Sequence, residues 1–392
     1  MILLSCLAFS FFVLSGITLV FLRNWLYIKP IHEIADDVEI EDKPLVSICI
    51  PARNEELSIN TCVRSALNQT YAAIEVLVLD DESSDKTPEI LQGIKADVSD
   101  SLQIIKGVEK PDSWLGKNWA CYQLSKQSKG DIIVFIDADV QLEPHSIDAL
   151  VTRMSQDKSI GLLSIWPEQI VITFWEQVLV PMVYYTLLGF LYLRYTEKPP
   201  RWIPTSLRKH FAPLFAAACG QFMAFRRDVY LEIGGHERVK NKVVEDIELA
   251  RSCIKQQHKV VNISGKDAVY CRMYRNYSEI KQGFRKNFFA GFGDSYILFI
   301  LSGLMHFVTF ILPVFLLFYY IHHEFWYGAL LAYCLLVIPI FHRYLLLMHF
   351  NWNIRFSFSH ILGVFWFHYL ALIVLSDKLF NRKANWKGRK VS

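Results

Sequence analysis

The sequence predicts an α/β domain built on an open, mostly parallel sheet, with membrane helices before and after it. Three observations carry this. Short β-branched runs alternate with helical patterns between residues 45 and 136, in the order β-α-β-α-β-α-β. Carboxylates cluster just after several of those runs, where an open parallel sheet places its ligand. Long apolar stretches lie at the two ends of the 392-residue chain and explain its 53% hydrophobic content and mean hydropathy of +0.24.

Ile2 to Leu22 holds 21 residues without a charge, enough to cross a bilayer as one helix. It lacks the basic start and small-residue cleavage site of a secretory signal, so residues 1–23 are expected to be a retained transmembrane helix. Arg23 and Lys29 follow, placing the next segment in the cytoplasm by the positive-inside rule. Residues 24–44 read as a linker with an acidic run from Glu33 to Asp42. The far end, 295–376, contains Tyr296–Tyr320, Phe325–Phe341 and Phe358–Ser376, the middle one interrupted by Pro339, His342 and Arg343. The tail, 377–392, carries Lys378, Arg382, Lys383, Lys387, Arg389 and Lys390 and is expected to be cytoplasmic. Three crossings would leave that tail outside, so one segment is expected to be re-entrant or interfacial. The chain is thus expected to be a multi-pass protein of the inner or plasma membrane.

Composition excludes several classes. The eight cysteines form no C-x-x-C pair, so neither a zinc site nor a disulfide framework is suggested. A net charge of +3, with basic residues gathered at the membrane edges, points to headgroups rather than nucleic acid.

Between the ends lies a domain at 45–294. Leu45–Pro51 reads as a first strand, and a helix runs to about Asn68. Ile74–Leu79 is a second strand, followed by a helix that Thr87 and Pro88 cap and begin. Leu102–Ile105 is a weaker third strand, and a helix spans about Asn118 to Ser128. Ile132–Ile136 is a fourth strand, ending at Asp137-Ala-Asp139. If the strand conformation persists, the i, i+2 spacing turns both carboxylates to one face, where they suit a hard divalent cation, Mg or Mn. Arg53 and Glu55 follow strand one, and Asp80 and Asp81 follow strand two. Neither G-x-G-x-x-G after the first strand nor G-x-x-x-x-G-K-[ST] occurs, which disfavours dinucleotide and P-loop readings. Val178–Leu193 is very apolar, yet crossing there would separate Asp139 from Asp246, and Glu176 and Pro181 argue against a span. Residues 170–193 are therefore expected to be an interfacial segment or a plain buried helix. Ala216–Ala224 is rich in small residues, suiting close approach of the backbone to a ligand near Gly220.

Six stretches occur in a fixed order: Pro51-Ala-Arg-Asn-Glu-Glu56, Val78-Leu-Asp-Asp-Glu-Ser-Ser-Asp85, Trp114-Leu-Gly-Lys117, Asp137-Ala-Asp139, Gly234-Gly-His236 and Glu245-Asp246. Together they resemble a family 2 glycosyltransferase with the GT-A fold, over about residues 45 to 290. The nearest resemblance is to the membrane-bound branch that includes carotenoid glycosyltransferases, and Trp386-Lys-Gly-Arg389 fits that branch. The resemblance implies that Pro51, Arg53, Glu55 and Asp80 or Asp81 hold the nucleotide, with Asp137 beside ribose and metal and Asp139 on the metal. It makes Asp246 the catalytic base, and sets Gly220, Gln221, His236 and Glu245 on the sugar and acceptor side. Lys117 either faces the diphosphate or is solvated.

The chemistry needs such parts. Displacing a nucleoside diphosphate builds negative charge on the leaving phosphate, and the acceptor must lose a proton to a nearby carboxylate. Val244, Ile247, Ala250 and Ile254 share a helical face, which puts Asp246 in a first turn. A base facing the leaving group implies single displacement with inversion. The expected activity is transfer of one sugar from a nucleotide sugar, UDP-linked, to a membrane lipid, a carotenoid or other isoprenoid. Its rivals are a processive polysaccharide synthase, a polyprenyl-phosphate glycosyltransferase and a non-catalytic nucleotide-sugar-binding scaffold. Processive relatives carry Q-x-x-R-W; here Gln282-Gly-Phe-Arg285 is followed by Lys286, so the stacking platform is missing.

Overall fold

The computed structural model describes residues 2–34, 43–98, 101–293, 295–380, 382, 384–386 and 389–391. Most of the acidic run from Glu33 to Asp42 and, in the tail, Lys383 and Lys387 lie outside them, as does part of the Trp386–Arg389 motif. The chain forms two compact units: 27–170 with 192–273, and 1–26 with 171–191 and 274–392.

The first unit is built on an eight-stranded sheet. In chain order its strands are β1 (Val46–Ala52), β2 (Ile74–Asp80), β3 (Leu102–Lys106), β4 (Ile132–Ile136), β5 (Val140–Leu142), β6 (Ile160–Gln169), β7 (Phe222–Arg226) and β8 (Lys259–Cys271). The spatial order is β3-β2-β1-β4-β7-β6-β8-β5. The four expected strands are present and mutually parallel, with Ala52 opposite Asp80 and Cys49 opposite Phe135. The chain winds from β1 outward to β2 and β3, then returns to β4 on the other side of β1. That reversal opens a crevice at the carboxyl ends of β1 and β4.

The other half is mixed: β7 runs antiparallel to β4 and to β6, while β8 is parallel to β6 and antiparallel to β5. Ala216–Ala224, read as a close-approach stretch, therefore ends inside a strand. Pro167 is accommodated within β6 at a register shift between Pro167 and Glu168, where the ladder spares it a donor. One sheet face packs Ile48, Ile50, Val76, Val78 and Val134 with the helices Ile59–Leu67 and Ser146–Gln156. The other packs Cys49, Leu77, Ile133 and Phe135 with Gly116–Gln127 and Glu245–Lys255.

In the second unit four helices are long and apolar enough to cross a membrane: Ile2–Tyr27, Tyr296–His322, Trp326–His349 and Ile354–Leu379. Each of the three C-terminal segments reaches spanning length, so length singles out none of them as re-entrant. The helix Trp326–His349 runs unbroken through Pro339 and His342, against the expected interruption. Helix Tyr277–Asn287, expected within the 45–294 domain, groups with this unit: Phe284 packs on Trp366 and Phe367, and Arg285 forms a two-point pair with Asp377 (Nη2–Oδ1 2.6 Å).

The apolar run read as interfacial or buried is the helix Phe174–Phe190, which buries Val178, Leu179, Tyr184, Tyr185 and Leu188. The two residues that argued against a span are each satisfied locally. Glu176 completes a capping box: Thr173 accepts from its N–H, and its carboxylate accepts from Ile172 N (2.9 Å) and Thr173 Oγ1 (2.7 Å). Pro181 has no N–H to give the Gln177 carbonyl, four residues back. Arg343, fully buried, supplies the missing donor: Nη2 reaches Gln177 O at 2.7 Å and Val178 O at 2.9 Å.

A double-mutant cycle tests that repair. Arg343→Met should destabilise the chain by about 1–3 kcal/mol, because a buried carbonyl loses its partner. In a Pro181→Ala background, where the backbone N–H returns, the same change should cost clearly less. Unfolding in detergent or nanodiscs measures both, and equal costs would refute the coupling.

Candidate active site

Apart from His236, the expected site residues sit at the ends of β1, β2 and β4 and the loops after them, on the segment before β7, and at the starts of the helices Gly116–Gln127 and Glu245–Lys255. The first pair of loops, after β1 and β2, is cross-laced. Asp81 N donates to Ala52 O (2.8 Å), Asn54 N to Ser83 Oγ (3.0 Å), and Ser84 N to Asn54 Oδ1 (2.8 Å). Glu55 N donates to Thr87 Oγ1 (2.8 Å), and its carboxylate accepts from Ser58 Oγ (3.1 Å). Arg53 bonds the Asp81 carbonyl and lies 3.9 Å from the Asp81 carboxylate. Asp80 accepts from Ser83 N (3.1 Å), and Pro51 lies in β1 opposite Leu79. The structure thus brings Pro51, Arg53, Glu55, Asp80 and Asp81 together. Asn54, not singled out from the sequence, adopts a left-handed φ of 53° that Asn tolerates, and it ties the loops.

Asp137 and Asp139 do not continue a strand. β4 stops at Ile136, and Val140 N bonds back to Asp137 O at 3.0 Å, closing a turn before β5. The same-face argument from strand geometry therefore fails; the turn positions the two carboxylates instead. Asp137 N donates to Gln221 O (3.1 Å), which ties the turn to the start of β7.

Lys117 lies at the centre. Its Nζ is 2.7 Å from Asp137 Oδ1, 3.1 Å from Glu245 Oε1 and 3.1 Å from Gly220 O. It is neither a plainly solvated lysine nor a free arm. Burial would lower its pKa, but the adjacent Asp137 and Glu245 carboxylates outweigh that and hold it well above its ordinary value. The loop that carries it is latched to the segment before helix Glu245–Lys255. Leu115 N donates to Lys240 O (2.8 Å), and buried Asn118 donates through Nδ2 to Val239 O (2.8 Å) and Lys242 O (3.0 Å). No residue pattern announces this latch, since an Asn after a Lys is ordinary helix-start chemistry.

Asp246 falls in the first helical turn, as the spacing predicts. Its Oδ2 accepts from Gly220 N (3.0 Å) and its Oδ1 from Ile247 N (2.8 Å). Burial, then the neighbouring Glu245 charge, raise its pKa to about 7. A Cβ at Gly220 would lie 3.3 Å from Asp246 Oδ2 and 3.4 Å from Glu245 Oε1, so only glycine leaves this approach relaxed. Gln221 is pinned, accepting from Gln169 Nε2 (2.8 Å) and donating to Cys271 Sγ (3.0 Å).

His236, expected on the acceptor side, is instead fully buried. Gly234 and Gly235 take φ of 82° and 47°, and a Cβ on Gly235 would strike the Tyr230 ring at 2.5 Å. That tight turn tucks the imidazole between Tyr230, bonded through Nδ1 at 2.7 Å, and Phe135 of β4. Burial lowers its pKa to about 3, so it is a neutral core group supporting β4.

Among the described residues no cluster of three His, Cys, Asp or Glu side chains encloses a metal. The donor set still fits one of the kind a diphosphate brings with it. Asp137 and Asp139 offer hard oxygens from one turn, Asp137 already holds a cationic group, and Mg or Mn accepts phosphate and water oxygens in the remaining positions.

A mostly parallel sheet with an acidic carboxyl edge and a half-buried carboxylate opposite has the architecture of the GT-A class of fold. Among solved structures the chain resembles a mannosyltransferase from Pyrobaculum calidifontis, crystallised with GDP-Man and Mn2+, at a TM-score of 0.56 and 16% identity over 98% of this chain and 100% of that one. Residues 47–234 match the model of glycosyl transferase family 2. Two relatives, both 4,4'-diaponeurosporenoate glycosyltransferases, come from Staphylococcus haemolyticus (27% identical) and Staphylococcus aureus strain USA300 (26%). The matches cover 64% of this chain and 63% and 62% of those proteins, less than two thirds of their length.

Asn118→Leu tests the latch. It should destabilise the fold by about 1–3 kcal/mol by leaving the Val239 and Lys242 carbonyls unpaired. Thermal unfolding measures it; an unchanged midpoint would mean the latch contributes nothing.

Proposed function

We propose that the chain transfers a single sugar from a nucleotide sugar to a lipid acceptor in the membrane, with residues 45–294 supplying the catalytic part. The observation that carries the reading is the opposition of two groups across Gly220: the Asp137–Lys117 pair on one side and the Asp246 carboxylate on the other. Arg53, Glu55, Asp80 and Asp81 bind the base and ribose, whose N–H and O–H groups are donors suited to carboxylates. Asp137 and Asp139 hold the divalent metal, which supplies Lewis acidity at the leaving diphosphate when bound. Lys117 adds a point charge on the same side.

Asp246 takes the proton from the acceptor hydroxyl. Its raised pKa makes it a stronger base than an ordinary carboxylate while leaving it largely ionised just above neutrality. A carboxylate acceptor, already ionised at neutral pH, needs no base. Attack opposite the leaving group gives inversion at the anomeric carbon. The relatives' names support an isoprenoid acceptor, and their family supports a nucleotide-sugar donor, which we take to be UDP-linked. The proposed setting is the cytoplasmic face of the cell membrane. The processive alternative gains no support: Lys286 stands where a stacking Trp would be, and Arg285 is paired with Asp377.

Asp246→Asn should lower transfer by about 10²–10⁴-fold and leave nucleotide binding near normal. In the parent, kcat/KM on a hydroxyl acceptor should rise with pH and reach half its maximum near pH 7, the ionisation of Asp246. Full activity in the variant refutes the base. Stability should move the other way. Because the folded pKa lies above the unfolded one, Asp246 stabilises fully below about pH 4, and this is lost as pH rises through about 7. Asp246→Asn should therefore be more stable than the parent at pH 8 and no more stable at pH 4, read by thermal unfolding.

Asp139→Ala should abolish metal-dependent nucleotide binding, measured by calorimetry with UDP and Mn2+. Unchanged titration would remove Asp139 from the metal site.

A further inference from the structure

Residues 199–215, in the sheet-bearing unit, carry a surface that sugar transfer does not use. Trp202 is 73% exposed, Leu214 71%, Leu207 46% and Phe211 39%. Helix Thr205–Phe211, between them, buries none of its residues. Interleaved with these apolar groups are Arg201, Lys209 and His210, all exposed, and half-buried Arg208. The stretch contains no Asp or Glu. It is nonetheless held in place: Ile203 and Ala212 are buried, Arg208 Nε donates to Ile203 O (3.0 Å), and Arg251 Nε to Pro213 O (3.4 Å).

This combination is specific. Holding a Trp and three large apolar side chains in water is unfavourable, so a fixed segment that does so has a partner. Trp favours the headgroup depth of a bilayer, where its ring is apolar and its N–H remains wet. Purely basic neighbours match an anionic phosphate layer, and a chain with four spanning-length helices always has such a layer at hand. A protein partner would need a surface both apolar and acidic.

We propose that residues 199–215 dock on the anionic phospholipid surface, with Trp202, Leu207, Phe211 and Leu214 at the interface and Arg201, Arg208 and Lys209 on the phosphates. This docking does not depend on which acceptor is glycosylated, or on catalysis.

The test uses the full chain in nanodiscs of phosphatidylcholine with or without phosphatidylglycerol. p-Benzoylphenylalanine replaces Leu214 or, separately, Trp202; after irradiation, mass spectrometry identifies what is attached. Both positions are exposed, so the label should not disturb folding. Phospholipid adducts are expected, favouring phosphatidylglycerol. Arg201→Glu combined with Lys209→Glu should lower the adduct yield in anionic discs by about threefold or more, with little change in neutral discs. Absence of lipid adducts at both positions, adducts only between two copies of the chain or to another protein, or yields indifferent to headgroup charge would overturn the proposal.

Discussion

The Lys117 ammonium is the contact on which the site depends. It joins three segments far apart in sequence: the turn after β4 through Asp137, the approach to β7 through Gly220, and the start of helix Glu245–Lys255 through Glu245. Without a cation between them, Asp137 and Glu245 would face each other as like charges in a half-buried space. Lysine suits this place better than arginine. A compact ammonium on a flexible stem can serve two carboxylates and a carbonyl at once, whereas a planar guanidinium favours one bidentate partner.

Much of the first half of the sheet was legible. Ile74–Leu79 and Ile132–Ile136 are β-branched and continuous because parallel strands are buried on both faces, and each ends where a carboxylate begins. The later strands were not. β8 contains Lys259, Gly265 and Lys266, and β6 contains a proline, so neither reads as an apolar run. Their identity comes from long-range pairing, β6 with β7 and β8, and β8 with β6 and β5, which no local window holds. The site divides in the same way. That Asp137, Asp139 and Asp246 belong together followed from motif order, but the turn that aims the first two depends on β5 pairing with β8. His236 was misplaced because a Gly-Gly-His sequence says that the chain turns tightly, not whether the imidazole points outward or into the core.

The membrane unit illustrates a related limit. Length and hydropathy identify helices of spanning length, but helix Phe174–Phe190 was obscured by Glu176 and Pro181, which look incompatible with an apolar setting. Both are compatible once their backbone debts are traced: Glu176 accepts at the helix start, and Arg343 replaces the hydrogen bond that Pro181 removes. Burying a guanidinium against two carbonyls is costly, and it is tolerated because the alternative is an unsatisfied carbonyl in an apolar interior. The arginine and the proline, 162 residues apart in sequence, therefore form one structural unit.

Gly220 is where these constraints meet the chemistry. Its N–H holds one oxygen of Asp246, its carbonyl holds Lys117, and the space of its absent side chain lies against both acids of the helix start. A half-buried carboxylate beside a buried one, accepting two backbone hydrogen bonds, is under-solvated, which is the condition a general base needs. More donors would lower its pKa and weaken it as a base; fewer would leave it protonated at neutral pH. The rise to about 7 follows first from loss of hydration and then from the charge of Glu245, which is itself held by Lys117, against the lowering by the amides of Ile247 and Gly220. The ammonium that neutralises Asp137 thereby also moderates the proposed base, so the two halves of the proposed site are electrostatically one.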